Sequence, residues 1–170
     1  MKKNSIIGLG LALCLTGAFA SCDMSDNFGK DHPIPSGMTY EIPLDEHATM
    51  PAANDQDADS YLQLREVIQG GIYLYSLSYP ALTDGEVYLR CYEATENIEL
   101  SASRLPEASK VEVKDHTDFG PVVENQQFSI YEGDWGDYYA ARIEVWHRDA
   151  ATGKETKLLE KTYRVEGRMR

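Results

Sequence analysis

Gly133-Asp134-Trp135-Gly136-Asp137-Tyr138-Tyr139-Ala140-Ala141-Arg142-Ile143 is the stretch of sequence that decides the fold of this chain. Glycine and aspartate are the commonest turn residues, so the first five positions predict a tight loop around Trp135. From Tyr138 onward, the pattern of aromatic, small and branched side chains favours a β-strand, which continues to His147. The stretch therefore predicts a long strand that begins directly after a loop.

The start of this strand resembles the tyrosine corner of immunoglobulin and fibronectin type III sandwiches, in which a Tyr stands two residues before a small buried residue. The resemblance makes Tyr139 the corner residue and Ala141 the small residue. Tyr138 with Ala140 fits the same spacing, and the sequence leaves this choice open. The Cys–Trp–Cys set of antibody domains is absent. The resemblance therefore implies an immunoglobulin-like sandwich that is not an antibody domain.

Period-2 alternation in other parts of the chain predicts further strands. The strong segments are 72–79, 86–94, 127–132 and 156–165, and the weaker ones are 38–44, 98–102 and 110–114. Pro43 suits an edge strand, and Thr152-Gly153 marks a hairpin turn between the last two strands. These segments predict a mainly β fold, a single antiparallel β-sandwich over residues 38–170.

One segment has a different pattern. Tyr61, Leu64, Val67 and Ile68 fall on one helical face, and Gly70-Gly71 follows as a stop signal. This pattern favours one short helix over 59–69.

The N-terminal 21 residues predict export. Lys2 and Lys3 precede the apolar run 6–15, which is too short for a stable membrane span. The next residues, Phe19-Ala20-Ser21-Cys22, resemble a bacterial lipobox, with Phe19 where Leu is usual. The resemblance implies cleavage of the signal peptide 1–21 and acylation of Cys22, which would anchor the chain to a membrane by acyl chains alone.

Two further features of the N-terminal segment bear on location. Ala18-Phe19-Ala20 also fits ordinary signal cleavage, which would release a soluble protein that begins at Ser21. Asp23-Met24-Ser25-Asp26-Asn27-Phe28 resembles the acidic tag of outer-membrane lipoproteins in Bacteroidota-type bacteria. The Gly-, Pro- and Ser-containing segment 22–37 predicts a flexible tether. The expected location is the outer membrane, at the cell surface, with the periplasm as the alternative.

Charge excludes one class of partner. The chain carries 16 basic and 28 acidic residues, and removal of residues 1–21, which hold two bases and no acid, leaves a net charge of −14. A surface this acidic repels phosphate backbones, so nucleic-acid binding is not expected.

No motif in the sequence predicts catalysis. Cys91 lies in an apolar alternating run without a neighbouring base, which favours a buried structural residue. The four histidines are isolated, without metal-ligand spacing, and the hydrolase, P-loop and dinucleotide fingerprints are absent. We therefore expect neither an enzyme nor a cofactor.

A weak calcium candidate comprises Asp55, Asp57, Asp59 and Glu66, whose spacing resembles an EF-hand loop. Ser60 stands where that loop requires Gly. Acidic residues are also favourable at the start of the predicted helix, because its dipole attracts negative charge. The sequence favours this second interpretation.

Aromatic residues are the better indication of function, because the chain contains 11 Tyr and 2 Trp. If residues 79–86 form a hairpin loop, the flanking strands place several rings and an arginine on one sheet face. This face would stack on sugar rings or pack against a protein, and it comprises Tyr73, Tyr75, Tyr88, Arg90 and Tyr92. The alternative is that the two strands lie in different sheets and the rings line the core.

Trp135 is the last candidate binding residue. An exposed Trp beside carboxylates suits a sugar, whereas a buried Trp135 would plug the end of the sandwich, and the sequence favours the plug. As a whole the chain resembles small surface lipoproteins of Bacteroidota-type bacteria. We expect a non-catalytic envelope protein that binds a glycan or a surface protein; the alternative is a structural subunit of an outer-membrane or fimbrial assembly.

Overall fold

The computed structural model describes residues 28–50, 60–114 and 122–168. In these residues the chain is mainly β, with short helices. The elements are α1 (Phe28–Asp31), β1 (Tyr61–Glu66), β2 (Ile72–Ser78), β3 (Gly85–Glu93), β4 (Glu99–Leu100), α2 (Leu105–Ala108), β5 (Val111–Val113), β6 (Val122–Ser129), β7 (Tyr138–Asp149) and β8 (Glu155–Glu166). Each segment predicted as a strong strand contains or overlaps an observed strand.

The strands form two antiparallel sheets. One has the order β1-β2-β6, and the other has the order β4-β3-β7-β8, with β5 paired to the opposite end of β3. The inward side chains of both sheets meet in a shared hydrophobic core. The predicted antiparallel β-sandwich is confirmed.

β7 is an interior strand of the larger sheet, and most of its side chains are buried. Ala141, Ile143 and Val145 are fully buried, and the strand pairs with β3 on one side and β8 on the other. The β7–β8 hairpin closes where Asp149 Oδ1 accepts hydrogen bonds from the Thr152 backbone N–H and hydroxyl. Gly153 follows with φ 68°, a conformation that favours glycine. The predicted hairpin turn is confirmed.

Tyr139 makes the hydrogen bond that the tyrosine corner requires. Its ring is fully buried, and its hydroxyl donates to the Glu132 carbonyl oxygen at 3.0 Å. Tyr138, in contrast, is 42% exposed. The structure therefore resolves the open choice in favour of Tyr139 with Ala141.

The helix predicted over 59–69 is wrong, since residues 61–66 form strand β1. Leu62 and Leu64 are fully buried on the core side, and β1 pairs antiparallel with β2 along its length. The helical spacing of the apolar residues is coincidental, because pairing with β2 and burial of alternate residues decide the conformation. Gly71, at φ 74°, forms the turn to β2 and does not end a helix.

The predicted flexible tether extends too far into the fold. Within segment 22–37, residues 28–31 form α1, and Phe28 is buried with its ring 5.0 Å from the ring of Tyr139. Burial of this aromatic ring stabilises the short helix against the core. Phe28 and the rest of α1 therefore belong to the folded part of the chain.

The weak strand predicted over 38–44 is reduced to two isolated bridges. Glu41 pairs with Tyr163 of β8, and Leu44 pairs with Arg65 of β1. Pro43 lies between them and has no N–H to continue a ladder. The segment thus joins an edge strand of one sheet to an edge strand of the other.

Cys91 is buried in the core, as predicted, beside the inward-facing Leu89 of β3. Burial raises the pKa of its thiol well above the ordinary value. We expect Cys91→Ala to lower the free energy of unfolding by about 1–2 kcal/mol through lost packing. Denaturant melts measure this loss. The native thiol should resist a bulky labelling reagent, and rapid labelling would contradict the burial.

Candidate functional site

The aromatic face predicted from strands β2 and β3 does not exist. The two strands lie in different sheets, because the connection between them crosses from one sheet to the other. Tyr73 and Tyr75 point into the core, where each is 1% exposed, and the Tyr75 hydroxyl donates to the Ser109 carbonyl oxygen at 3.0 Å. These two residues are therefore core residues and not binding residues.

Tyr88, Arg90 and Tyr92 do share the outer face of β3, but their interactions are satisfied within the sheet. The Arg90 guanidinium carbon lies 4.9 Å from the ring centre of Trp146 on β7, and that of Arg142 lies 5.1 Å from the ring centre of Tyr92. Cation–π contacts of this kind stabilise the face.

Glu155 on β8 completes this network. It accepts hydrogen bonds from the Tyr88 hydroxyl at 2.7 Å and from Arg90 at 2.9 Å. Hydrogen bonds from Tyr88 and then Arg148 lower the pKa of Glu155 to about 2. The face is a paired network of rings, guanidinium groups and carboxylates, so a ligand that stacked on it would first have to displace internal contacts.

Trp135 does not plug the sandwich, and the prediction of a plug is wrong. Its side chain is 67% exposed, since Phe28 of α1 takes the place beside Tyr139 that the indole was expected to fill. The loop that carries Trp135 is anchored to the end of β8, where the Gly136 N–H donates to Glu166 Oε1 at 2.7 Å. The Gly167 N–H donates to the Asp137 carbonyl oxygen at 3.0 Å. Trp135 is thus an exposed ring on an anchored loop.

Beside this ring lies a cleft of about 250 Å³, which we call the Trp135 cleft. The β1–β2 turn, residues 67–71, forms one wall and contributes Ile68, which is 93% exposed. Four carboxylates also line the cleft: Asp45, Glu46, Glu66 and Glu166. Its described lining contains no Lys, Arg or His. The cleft therefore combines apolar surface with hydrogen-bond acceptors.

The carboxylates of the cleft influence one another. Partial burial raises the pKa of Glu66, and the negative charge of Glu166 raises it further. A ligand that donates hydrogen bonds to these groups relieves that repulsion. The arrangement suits ligands that present hydroxyl, amide or ammonium donors next to an apolar surface.

In the described ranges, no group of three or more His, Cys, Asp and Glu side chains is placed to hold a metal ion. Of the calcium candidates, Asp55, Asp57 and Asp59 lie outside the described residues, and Glu66 lines the Trp135 cleft. Among the residues that the structure describes, no helix has the length and apolarity needed to cross a membrane.

The signal peptide and Cys22 also lie outside the described residues. The chain matches no protein-family model, no curated protein and no solved structure.

Sequence patterns did not indicate several residues of this end of the fold. The spacing of Ile68 predicts a helical face, and Glu166 lies more than 30 residues from Trp135 along the chain. Only the Gly70-Gly71 pair marks the turn that forms the wall of the cleft, and in the sequence it predicts the end of a helix.

Proposed function

We propose that this chain is a non-catalytic, lipid-anchored protein of the cell envelope that binds a glycan through the Trp135 cleft. The observation that carries the proposal is the 67% exposed indole at the rim of a carboxylate-lined cleft. A surface protein is the alternative ligand. The anchor is acylated Cys22, and the location is the outer membrane, with the cell surface favoured over the periplasm.

The availability of the Trp135 ring supports a sugar ligand. Among the described residues no guanidinium group lies over this ring, whereas arginines lie over Tyr88, Tyr92, Tyr131, Tyr138 and Trp146. A free indole face stacks on the apolar face of a pyranose ring, and neighbouring carboxylates accept hydrogen bonds from its hydroxyl groups.

The strand order supports an immunoglobulin-like form of the sandwich. With the strands lettered along the chain, β1, β2 and β6 take the places of strands A, B and E, and β3, β7 and β8 take those of C, F and G. Tyr139 then stands near the start of strand F, where the corner tyrosine of that fold is found. Loops at the ends of such sandwiches commonly carry binding sites, and Trp135 lies on an end loop.

We expect Trp135→Ala to weaken glycan binding at least about ten-fold, because it removes the stacking surface. The free energy of unfolding should change by less than about 0.5 kcal/mol, as is usual for an exposed side chain. A broad glycan array at low ionic strength identifies the ligand, and titration with that ligand measures the loss.

Tyr40→Ala is the matched control, since Tyr40 is an exposed aromatic outside the cleft lining. It should leave binding unchanged. Absence of wild-type binding to any glycan on the array would contradict the proposal and favour the alternative of a structural subunit, which light scattering would test through self-association.

A further inference from the structure

A second cluster surrounds Tyr131, which lies on the loop that carries Trp135. The guanidinium carbons of Arg104 and Arg168 lie 4.6 and 4.4 Å from the ring centre of Tyr131. Arg104 precedes α2, Tyr131 follows β6, and Arg168 follows β8, so the fold brings three distant parts of the chain together. We call this cluster the Arg–Tyr–Arg clamp.

Neither guanidinium group of the clamp has a carboxylate partner within the described ranges. Arg90, Arg142 and Arg148, in contrast, each form an ion pair with a glutamate. Two cations held against one ring repel each other, and in a chain with a net charge of −12 a carboxylate partner was readily available. Among the residues that the structure describes, the clamp is therefore a pair of positive charges without an ion-pair partner.

The nearest acidic residue in the chain, Glu132, is engaged elsewhere. Its carboxylate accepts hydrogen bonds from the Ser101 N–H at 2.7 Å and the Ser101 hydroxyl at 2.9 Å. These bonds join the turn before α2 to the loop after β6, and so hold Arg104 beside Tyr131. Glu132 thus helps to position the clamp and forms no ion pair with its guanidinium groups in the described residues.

The hydroxyl of Tyr131 responds to the two cations. Hydrogen bonding from Arg104, then from Arg168, lowers the pKa of Tyr131. Arg104 is exposed and the other two residues are half-buried, so solvent and ligands reach the donors. Guanidinium groups donate in a fixed fork that matches the oxygens of phosphate, sulfate and carboxylate.

We propose that Arg104, Tyr131 and Arg168 form a binding site for an oxyanion, namely a phosphate, sulfate or carboxylate group. Both guanidinium groups donate to its oxygens, and the neutral Tyr131 hydroxyl supplies a further donor. The site is distinct from the Trp135 cleft and does not depend on the glycan proposal. The source of the oxyanion is a soluble ligand or a phosphorylated lipid headgroup.

Titration of Tyr131 measures occupancy directly. A bound oxyanion favours the neutral phenol over the phenolate, so inorganic phosphate should raise the Tyr131 pKa, whereas chloride at equal ionic strength should not. Carbon NMR of ring-labelled tyrosine, assigned with Tyr131→Phe, follows this shift. Equal responses to phosphate and chloride would overturn the proposal.

Three substitutions that each remove one positive charge complete the test. Arg104→Gln and Arg168→Gln should each weaken phosphate binding by about ten-fold or more, and Lys154→Gln, which removes one positive charge from the hairpin at the opposite end, should weaken it less than about two-fold. Equal losses in all three variants would show a general charge effect and overturn the site. Melting temperatures verify that each variant folds.

Two further measurements separate the sources and the sites. Vesicles that contain phosphatidate, compared with phosphatidylcholine vesicles, should compete with inorganic phosphate if the clamp accepts a lipid headgroup. Failure to compete assigns the clamp to soluble oxyanions. Trp135→Ala should retain full phosphate binding, and its loss in that variant would overturn the independence of the clamp from the cleft.

Discussion

Tyr139→Ala is expected to lower the free energy of unfolding by about 3–5 kcal/mol, enough to unfold a marginally stable domain. The fully buried ring packs against Phe28 and the core of both sheets, so its removal leaves a large cavity. The Glu132 carbonyl oxygen also loses its donor at 3.0 Å. Denaturant melts followed by tryptophan fluorescence measure the change.

Two phenylalanine variants separate the hydroxyl from the ring. Tyr139→Phe removes only the hydrogen bond to Glu132 and should cost about 1–2 kcal/mol. Tyr138→Phe is the matched control, because Tyr138 is exposed at the surface of the same strand, and it should cost close to zero. Equal, near-zero costs for both variants would show that the corner hydrogen bond does not stabilise the fold.

The second large effect is expected at Cys22, where Cys22→Ser should abolish acylation and leave the chain poorly processed. Lipobox cleavage requires the thiol that accepts diacylglycerol, and serine cannot replace it. Without two or more acyl chains the protein loses stable membrane attachment. Detergent phase partitioning and the mass of the N-terminal peptide measure this loss.

Cys91→Ala serves as the control for Cys22→Ser, because it removes the buried core cysteine and should leave acylation unchanged. The two cleavage patterns in the sequence make different mature forms. Recovery of wild-type protein that begins at Ser21, without lipid, would contradict the anchor and support ordinary signal cleavage at Ala20.

Strong local alternation made most of the fold predictable. β7 and β8 follow from their side-chain patterns and from the Thr152-Gly153 turn. The spacing of the corner fits both Tyr139 with Ala141 and Tyr138 with Ala140, and only the burial of Tyr139 decides between them. β1 did not follow, since its apolar residues satisfy a helical period as well as a strand period. Pairing with β2 decided between them, and such pairing is a property of the assembled sheets.

The sites were less predictable than the strands. The positions of Tyr73 and Tyr75 depended on whether β2 and β3 share a sheet, and the exposure of Trp135 depended on Phe28, a residue that had been assigned to the tether. The Arg–Tyr–Arg clamp joins Arg104 to Tyr131 and Tyr131 to Arg168, 27 and 37 positions apart along the chain, and their separate neighbourhoods contain no shared motif. Long-range packing, which no local pattern reports, decides all three.

If Cys22 is acylated, the burial of Phe28 limits how far the domain can stand from a bilayer. Phe28 lies 3.7 Å from the position of a Cβ at Gly133, so the chain enters the fold beside the loop that carries Trp135. If Cys22 is acylated, six peptide units separate the lipid from Phe28, a span of at most about 20 Å when fully extended. Strand β7 alone, with 12 residues, is about 40 Å long.

The segment between an acylated Cys22 and Phe28 is shorter than the domain and would therefore restrict the orientation of the domain. In a molecule acylated at Cys22, the loop end of the sandwich would lie next to the membrane, and the β7–β8 hairpin at the other end of β7 would lie farther from it. The Trp135 cleft and the Arg–Tyr–Arg clamp would then both lie at the membrane-proximal end of the domain, in the layer next to the headgroups. A ligand held far above that layer would be inaccessible to an anchored molecule however tightly the released domain bound it in solution.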